Sequence, residues 1–162
     1  MKILILGHAQ FGKDTVAQLI SHETNLKFLS SSEAALDLIR PALSAAIGVS
    51  DHKQLFSLKG EYRKLWFELI RLLNLSDPTT LTKYVLRMSD ISVGTRSHIE
   101  LEATKHMFSH VIWVDASKRK PLESIDSMNI EFDPDYMELI DNNGSYQDLV
   151  FNVKNLVKRL GI

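Results

Sequence analysis

The first sixteen residues constrain the fold of this chain more than any other segment. An apolar run from Met1 to Leu6 is followed directly by Gly7-His8-Ala9-Gln10-Phe11-Gly12-Lys13. This order predicts a buried strand, a glycine loop and then a helix over Asp14–Ile20. Glycine permits close approaches that a Cβ atom would block, so the loop N–H groups can converge on an anion. We therefore predict that segment 7–13 binds phosphate groups and that Lys13 adds positive charge for the β- and γ-phosphates.

The position after the lysine departs from the usual pattern of such a loop. A hydroxyl residue normally stands there to bind Mg²⁺, whereas this chain has Asp14 and places the hydroxyl at Thr15. In one interpretation Asp14 holds Mg²⁺, directly or through water, because this cation prefers oxygen ligands; Thr15 then hydrogen-bonds an α-phosphate oxygen. In the other, Asp14 only caps the helix. The residues alone favour neither.

Length and composition indicate a single domain spanning 1–162, with enough hydrophobic residues to form one continuous core. The chain has 162 residues, of which 44% are hydrophobic, a net charge of −1 and no cysteine. The charge argues against a nucleic acid polymer or an anionic membrane surface as partner, and the lack of cysteine fits a reducing compartment. No apolar run reaches the ~18 residues of a membrane span. We expect a soluble, cytoplasmic protein without a leader segment.

Apolar periodicity predicts five strands that alternate with helices. The strands are expected at Lys2–Leu6, Leu26–Ser30, Ile91–Arg96, His110–Asp115 and Asp135–Ile140. Later helices are expected from Ser32 onward, at Gly60–Leu73, from Asp77-Pro78 to Leu86, from Ser97 to about Met107 and at Tyr146–Leu160. Pro41 is expected to bend or restart the second helix. The alternation predicts an α/β fold, with a five-stranded parallel sheet and helices on both faces.

Three arginines lie where a second anionic group would be held. Arg96 follows a predicted strand, so we expect it at the carboxyl edge of the sheet, facing the same crevice as Lys13. Arg40 and Arg63 lie on predicted helices, where a solvated charge is an equal alternative. Arginine suits this role because its planar guanidinium binds phosphate bidentately and stays charged. A serine run at 30–32 ends the second strand at this same edge.

A basic segment follows the fourth strand. Ser117-Lys118-Arg119-Lys120-Pro121 is interpreted either as a lid that closes over phosphates and expels water or as a solvated loop. Asp115 and Asp90 are candidates to orient water bound to magnesium, although their spacing from the strand ends does not match that role. The six histidines show no metal-ligand spacing.

Taken together, several short motifs resemble those of the phage-type deoxynucleoside monophosphate kinases. The likeness covers nearly the whole chain, and Gly12-Lys13-Asp14-Thr15 is its most specific element. The other segments are Ser30-Ser31-Ser32-Glu33, Arg63-Lys64-Leu65-Trp66, Asp77-Pro78-Thr79, Val93-Gly94-Thr95-Arg96 with Glu100, and Ile140-Asp141-Asn142-Asn143-Gly144. The resemblance implies a P-loop NTPase three-layer sandwich that transfers the γ-phosphoryl group of ATP, with Mg²⁺, to a (deoxy)nucleoside monophosphate.

The resemblance also implies roles for individual residues. The triphosphate would be bound by the loop, including Gly7, Gln10, Phe11, Gly12, Lys13, Asp14 and Thr15, with Asp14 and Thr15 at the metal and Asn142 and Asn143 near the donor adenine. The acceptor would be bound by Ser31, Ser32, Arg63, Trp66 and Arg96, within a helical region spanning 31–88, and Arg40 is a further acceptor candidate from its place on the second predicted helix. Lys13, Arg96 and the lid residue Arg119 would be catalytic, with the short lid region at about 116–133.

Two other functions stay open. The same loop would serve a P-loop kinase of another small metabolite. It would also serve a nucleotide-binding sensor or interaction module that does not turn over, because no acid at the end of the third strand is placed to orient magnesium-bound water. No residue indicates a preferred base. The helix around Trp66 is interpreted either as a homodimer interface or as ordinary core.

Overall fold

The computed structural model describes residues 1–162 and contains one sheet flanked by helices. The strands are β1 (Ile3–Leu6), β2 (Phe28–Ser30), β3 (Ile91–Val93), β4 (His110–Asp115) and β5 (Met137–Asp141). The helices are α1 (Lys13–Thr24), α2 (Ser31–Ile47), α3 (His52–Ser57), α4 (Arg63–Leu73), α5 (Thr80–Met88), α6 (His98–Thr104) and α7 (Tyr146–Leu160). The sheet order is β2-β3-β1-β4-β5 and every pair is parallel. The predicted α/β fold is confirmed.

The central strand β1 is buried on both faces, as its uninterrupted apolar sequence requires. Ile3 and Ile5 pack with residues of α1 and α7, whereas Leu4 and Leu6 pack with Leu101 of α6 and with the segment that follows β4. Successive side chains of a strand point to opposite faces, so one four-residue strand joins two apolar layers. This arrangement places the β1–α1 loop at the carboxyl edge of the sheet, between its neighbours β3 and β4.

Helices α2 to α5 lie between β2 and β3 in the chain, and α2, α3 and α4 share an apolar cluster of their own. Its buried members are Leu36, Ile39, Leu43, Leu55 and Trp66. The Trp66 side chain is only 2% exposed, and it meets the ring of Phe56 edge to face at 6.0 Å. The expected contact between Trp66 and an acceptor base is therefore corrected: this indole is enclosed by other helices and belongs to the core.

Two helix boundaries differ from the sequence expectation. Helix α2 passes through Pro41 without a break. Pro41 is exposed, and the residues buried on both sides of it, Ile39 and Leu43, stabilise the helix against the cost of an interior proline. Helix α5 begins at Thr80 rather than at Pro78, because the Asp77 carboxylate accepts a hydrogen bond from the Thr79 N–H at 2.9 Å and forms a turn there.

Two further differences lie between α2 and α4. The short helix α3 was not anticipated, although its signal is present: Asp51 caps it by accepting a hydrogen bond from the Gln54 N–H at 2.9 Å. Residues 60–62 form a turn instead of the first part of α4. None of the seven helices is both long enough and apolar enough to cross a bilayer.

We predict that Trp66 acts only through packing. Trp66→Ala should lower the free energy of unfolding by about 3–5 kcal/mol. Trp66→Phe should cost much less, because the indole Nε1 is buried without a hydrogen-bond partner and its removal breaks no bond. Urea denaturation of the two variants measures the difference. A loss as large for Trp66→Phe as for Trp66→Ala would contradict this prediction.

We also predict that Glu100 makes stability depend on pH. Burial raises its pKa from 4.5 to about 7, even though Thr82 donates a hydrogen bond to the carboxylate. A raised carboxyl pKa stabilises the folded chain below the unfolded value of 4.5, and this contribution is lost as the pH rises through 7. Glu100→Gln should therefore raise the thermal midpoint at pH 8 and change it little at pH 5. An equal change at both values would exclude a titration effect.

Candidate functional site

The loop between β1 and α1 is held in a conformation that depends on its glycines. Gly7 has a φ of 139°, and a Cβ atom there would lie 2.6 Å from the Val114 carbonyl oxygen of β4. Gly12 has a φ of 86°, and a Cβ atom there would overlap the Asn142 side-chain amide. Gln10 also has a positive φ, of 61°. The loop therefore packs directly against the carboxyl end of β4 and the turn after β5.

Asn142 holds this loop from the side of β5. Its Nδ2 donates a hydrogen bond to the Phe11 carbonyl oxygen at 2.8 Å, and the residue is 5% exposed. Phe11 is itself buried, so only its backbone is available to a phosphate. Asn142 therefore supports the loop between β1 and α1 through its Nδ2 group, and its place near the donor adenine stays a prediction.

Asn143 has a similar supporting role. Its Nδ2 donates to Asp115 Oδ2 at 2.9 Å and to Asp141 Oδ1 at 2.7 Å, and its Oδ1 accepts from the Lys118 N–H at 2.9 Å. Burial alone would raise the pKa of Asp115, but hydrogen bonds from Ser117 and Asn143 lower it below its usual value. Asn143 and Asp115 therefore join the turns after β4 and β5.

Lys13 lies at the first position of α1 and is turned back onto the loop. Its Nζ donates a hydrogen bond to the His8 carbonyl oxygen at 2.6 Å. Burial, and secondarily the charge of Arg96, lower its pKa from 10.5 to about 8. A partly buried amine beside a guanidinium lacks an anionic partner, and a phosphate group would supply one.

The next two residues carry oxygen atoms without hydrogen-bond partners. The N-cap of α1 is Gly12, and no side chain caps this helix. Asp14 is exposed and lies in the first turn. The capping interpretation is thus corrected in its hydrogen-bonding form, although the charge of Asp14 still suits the positive end of the helix dipole. No group of three or more His, Asp or Glu side chains is arranged to hold a metal ion by itself.

A carboxylate links the loop to two of the three candidate arginines. Glu123 Oε1 accepts hydrogen bonds from Arg63 at 2.6 Å and from Arg96 at 2.5 Å. Its other oxygen, Oε2, accepts from the Ala9 N–H of the loop at 2.6 Å. The Glu123 side chain is 10% exposed. Burial opposes its ionisation, but Arg96 and the other donors lower its pKa below the usual value, so Glu123 is an anion at neutral pH.

Lys59 adds a further cation beside this cluster. Its Nζ donates a hydrogen bond to the Ser32 hydroxyl at 2.6 Å, and burial, followed by the charge of Arg96, lowers its pKa. Ser31 differs from its neighbour because its hydroxyl donates to the Val93 carbonyl oxygen at 2.7 Å and so joins α2 to β3. The Ser32 hydroxyl therefore lies at the cationic cluster, whereas the Ser31 hydroxyl is used to hold α2 against β3.

Two predicted residues are not brought to this cluster. Arg40 is exposed on α2 and forms no ion pair or side-chain hydrogen bond. Arg119 is exposed, and its Nε donates to the Asn142 carbonyl oxygen at 2.5 Å. Of the basic run, Lys120 contacts the loop, at 3.5 Å from the Gln10 side-chain oxygen. The basic run at 117–121 therefore lies against the turn after β5, and its Lys120 side chain reaches the loop between β1 and α1.

Sequence reasoning missed Glu123 and Lys59. Glu123 lies in the segment expected to form a lid, but no periodic pattern or motif distinguishes it from other acids there. Lys59 precedes Arg63 by four residues, and this spacing was a usable signal for a second cation near the same place. Only the folded chain shows that Glu123 meets the loop and both arginines, and that Lys59 meets Ser32 at the start of α2.

Comparisons with known proteins show the fold. No protein-family model matches the chain, and no curated protein matches it. Among solved structures, a shikimate kinase from Bacteroides thetaiotaomicron has a TM-score of 0.56 at 10% identity, covering 100% of this chain and 99% of that chain. A sugar kinase from Janibacter sp. HTCC2649 has a TM-score of 0.51 at 16% identity, covering 99% and 94%. A gluconokinase from Sinorhizobium meliloti 1021 has a TM-score of 0.51 at 10% identity, covering 99% and 95%.

The site and these similarities define the class of fold. The chain has the P-loop kinase fold, with a parallel five-stranded sheet and a glycine loop between its first strand and first helix. TM-scores of 0.51 and 0.56 at identities of 10% and 16% show the fold alone, and the substrate is to be inferred from this chain's own residues.

We predict that nucleotide binding protonates Lys13. In the free chain its pKa is about 8, and a nearby triphosphate favours the charged amine. At pH 8, ATP binding should therefore take up about half a proton, and at pH 6 this uptake should vanish because Lys13 is already charged. Calorimetry in buffers of different ionisation enthalpy measures the uptake. In Lys13→Arg it should be absent at both values, and equal uptake by that variant would assign the proton to another group.

Proposed function

We propose that this protein is an ATP-dependent kinase that phosphorylates a (deoxy)nucleoside monophosphate to the diphosphate. One observation carries the proposal: a single carboxylate, that of Glu123, is bound at once by a loop N–H group and by Arg63 and Arg96. A pair of arginines and the phosphate-binding loop thus face the same small volume. A kinase whose acceptor is itself a phosphate needs cations on both sides of the transferred group.

The donor side consists of the loop and the start of α1. The N–H groups of residues 7–13 would bind the phosphates of ATP, and Lys13 would leave the His8 carbonyl oxygen to contact the β- and γ-phosphates. Asp14 and Thr15 have free oxygen atoms and fit Mg²⁺, which needs few protein ligands because it keeps waters and phosphate oxygens. When bound there, Mg²⁺ would neutralise charge on the triphosphate.

The acceptor side consists of Arg63 and Arg96, with Lys59 and Ser32 beside them. Two guanidinium groups and an ammonium suit a dianionic phosphate better than a neutral hydroxyl compound, because the group must compensate several positive charges in a partly buried site. The nucleoside part of the proposal rests on the resemblance of the motifs in this chain to the phage-type deoxynucleoside monophosphate kinases.

The chemistry asked of these residues is positioning and charge compensation. An oxygen of the acceptor phosphate forms a bond to the γ-phosphorus while the bond from that phosphorus to its bridging oxygen breaks. Arg63 and Arg96 would hold the acceptor oxygen in line, and Lys13 would stabilise the charge that develops on the transferred group. The acceptor phosphate is already ionised, so this step needs no general base. For Arg119 to act as a catalytic lid residue, it would have to leave the Asn142 carbonyl oxygen.

A kinase of another small anionic metabolite is the second candidate. Solved structures with this fold include a shikimate kinase and a gluconokinase, so the fold also accommodates acceptors that are not nucleotides. A coupled assay with ATP, Mg²⁺ and a panel of nucleoside and deoxynucleoside monophosphates, together with phosphorylated and carboxylated sugars, separates the two candidates. ATP binding without turnover on any of them would instead indicate a nucleotide sensor.

We predict that Arg96 acts on the acceptor more than on ATP. Arg96→Ala should lower kcat/KM for the monophosphate by roughly 10- to 100-fold, equivalent to one charged hydrogen bond of about 1.5–3 kcal/mol, while the affinity for ATP changes less. Steady-state kinetics and direct ATP titration measure the two effects. Arg87→Ala removes an exposed arginine of α5 that has no partner, and it should leave both unchanged. Equal losses for both substrates in Arg96→Ala would contradict the assignment.

A further inference from the structure

The Glu123 carboxylate lies where the site most favours an anion. Four cations surround this region: Arg63 and Arg96 contact the carboxylate directly, and Lys13 and Lys59 both have lowered pKa values to which Arg96 contributes. Glu123 contributes in the opposite sense for Lys13. The carboxylate therefore partly compensates a positive cluster that would otherwise repel itself.

The contacts of Glu123 match those that a phosphate group would make. Two guanidinium groups bind one oxygen, and a loop N–H group binds the other. Carboxylates and phosphates are both bound by arginine forks and by free backbone N–H groups. A phosphate monoester carries up to two negative charges near neutral pH and offers three terminal oxygens. It can therefore use the same donors and compensate more of the positive charge.

The part of the chain around Glu123 is held by hydrogen bonds rather than by apolar packing. Residues 121–136 contain no helix or strand. Leu122 and Ile125, on either side of Glu123, are 64% and 75% exposed, so apolar packing does not hold this part of the chain. Besides its carboxylate, Glu123 is held by its own N–H group, which donates to His8 Nδ1 at 3.1 Å. The segment is anchored further along, where Met128 and Ile130 are buried.

We propose that Glu123 is a built-in occupant of the acceptor's phosphate subsite, and that a phosphate monoester displaces it when it binds. The identity of the displacing ligand rests on the proposed function. Displacement frees both arginines for the acceptor phosphate and the Ala9 N–H for a phosphate of the donor, and it moves segment 121–127 away from the loop. The free chain thus keeps its cations compensated and its subsite closed, and only a ligand with more negative charge than one carboxylate opens it.

Competition from Glu123 reduces the apparent affinity for phosphate. The dissociation constant increases in proportion to the fraction of molecules in which the subsite is closed. If Glu123 occupies the subsite nine-tenths of the time, its removal strengthens phosphate binding by about tenfold. Removing the carboxylate also leaves Arg63 and Arg96 without a neighbouring anion, and this further strengthens phosphate binding.

The test compares Glu123→Gln and Glu123→Ala with the unaltered protein, using inorganic phosphate as the probe. Calorimetry or amide chemical shifts at low ionic strength give the dissociation constants. Both variants should bind phosphate about tenfold more tightly, and thermal unfolding of each checks that it is folded. Glu131→Gln is the matched control, because Glu131 is an exposed acid of the same segment and has no side-chain partner; its affinity should not change.

Unchanged or weaker phosphate binding in both Glu123 variants would overturn the proposal and make Glu123 a residue that only positions the arginines. The kinase assay is independent of this result. Tighter phosphate binding with no turnover of any monophosphate would uphold the subsite while the proposed function fails. Turnover of a monophosphate without tighter binding in the variants would leave the proposed function and reject the built-in occupant.

Discussion

The close contact between Gly7 and β4 is the constraint on which the site depends. The Gly7 backbone lies so near the Val114 carbonyl oxygen that no side chain fits between them. This contact lets the chain turn sharply at the end of β1. Asn142 completes the arrangement by donating to the Phe11 carbonyl oxygen from the turn after β5. The six residues between β1 and α1 are thus supported by β4 and by the turn after β5, and the position of Lys13 follows from this support.

Electrostatics explain how the free chain tolerates a site built for anions. Burial and mutual repulsion lower the pKa values of Lys13 and Lys59, so the cations are held at a cost in free energy until an anion arrives. Glu123 reduces this cost through its contacts with Arg63 and Arg96. The same interaction that stabilises the free chain therefore competes with the ligand. The contacts of Glu123 with the two arginines stabilise the folded chain but weaken the binding of a ligand. Such a trade-off is common where charged groups are preorganised for function.

The fold was largely predictable because its main determinants are local and periodic. Uninterrupted apolar runs indicated β1 and β4, and amphipathic spacing indicated α7 with the bounds that the structure shows. The errors arose where side chains override propensity. Packing of Ile39 and Leu43 carries α2 through Pro41, and the Asp77 side chain delays the start of α5. Neither effect can be read from the identity of the proline alone.

The sequence by itself determined the strand–loop–helix start, the parallel alternating topology and Lys13, Arg63 and Arg96 as candidate cations, because spacing and residue type are enough for these. Only the tertiary structure decided which polar groups are free. It enclosed Trp66 in a helical core, used the amide of Asn142 to support the loop, and brought Glu123 from a segment without regular structure onto both arginines. Such contacts join residues up to 131 positions apart, and their partners are set by how the layers pack rather than by any local pattern.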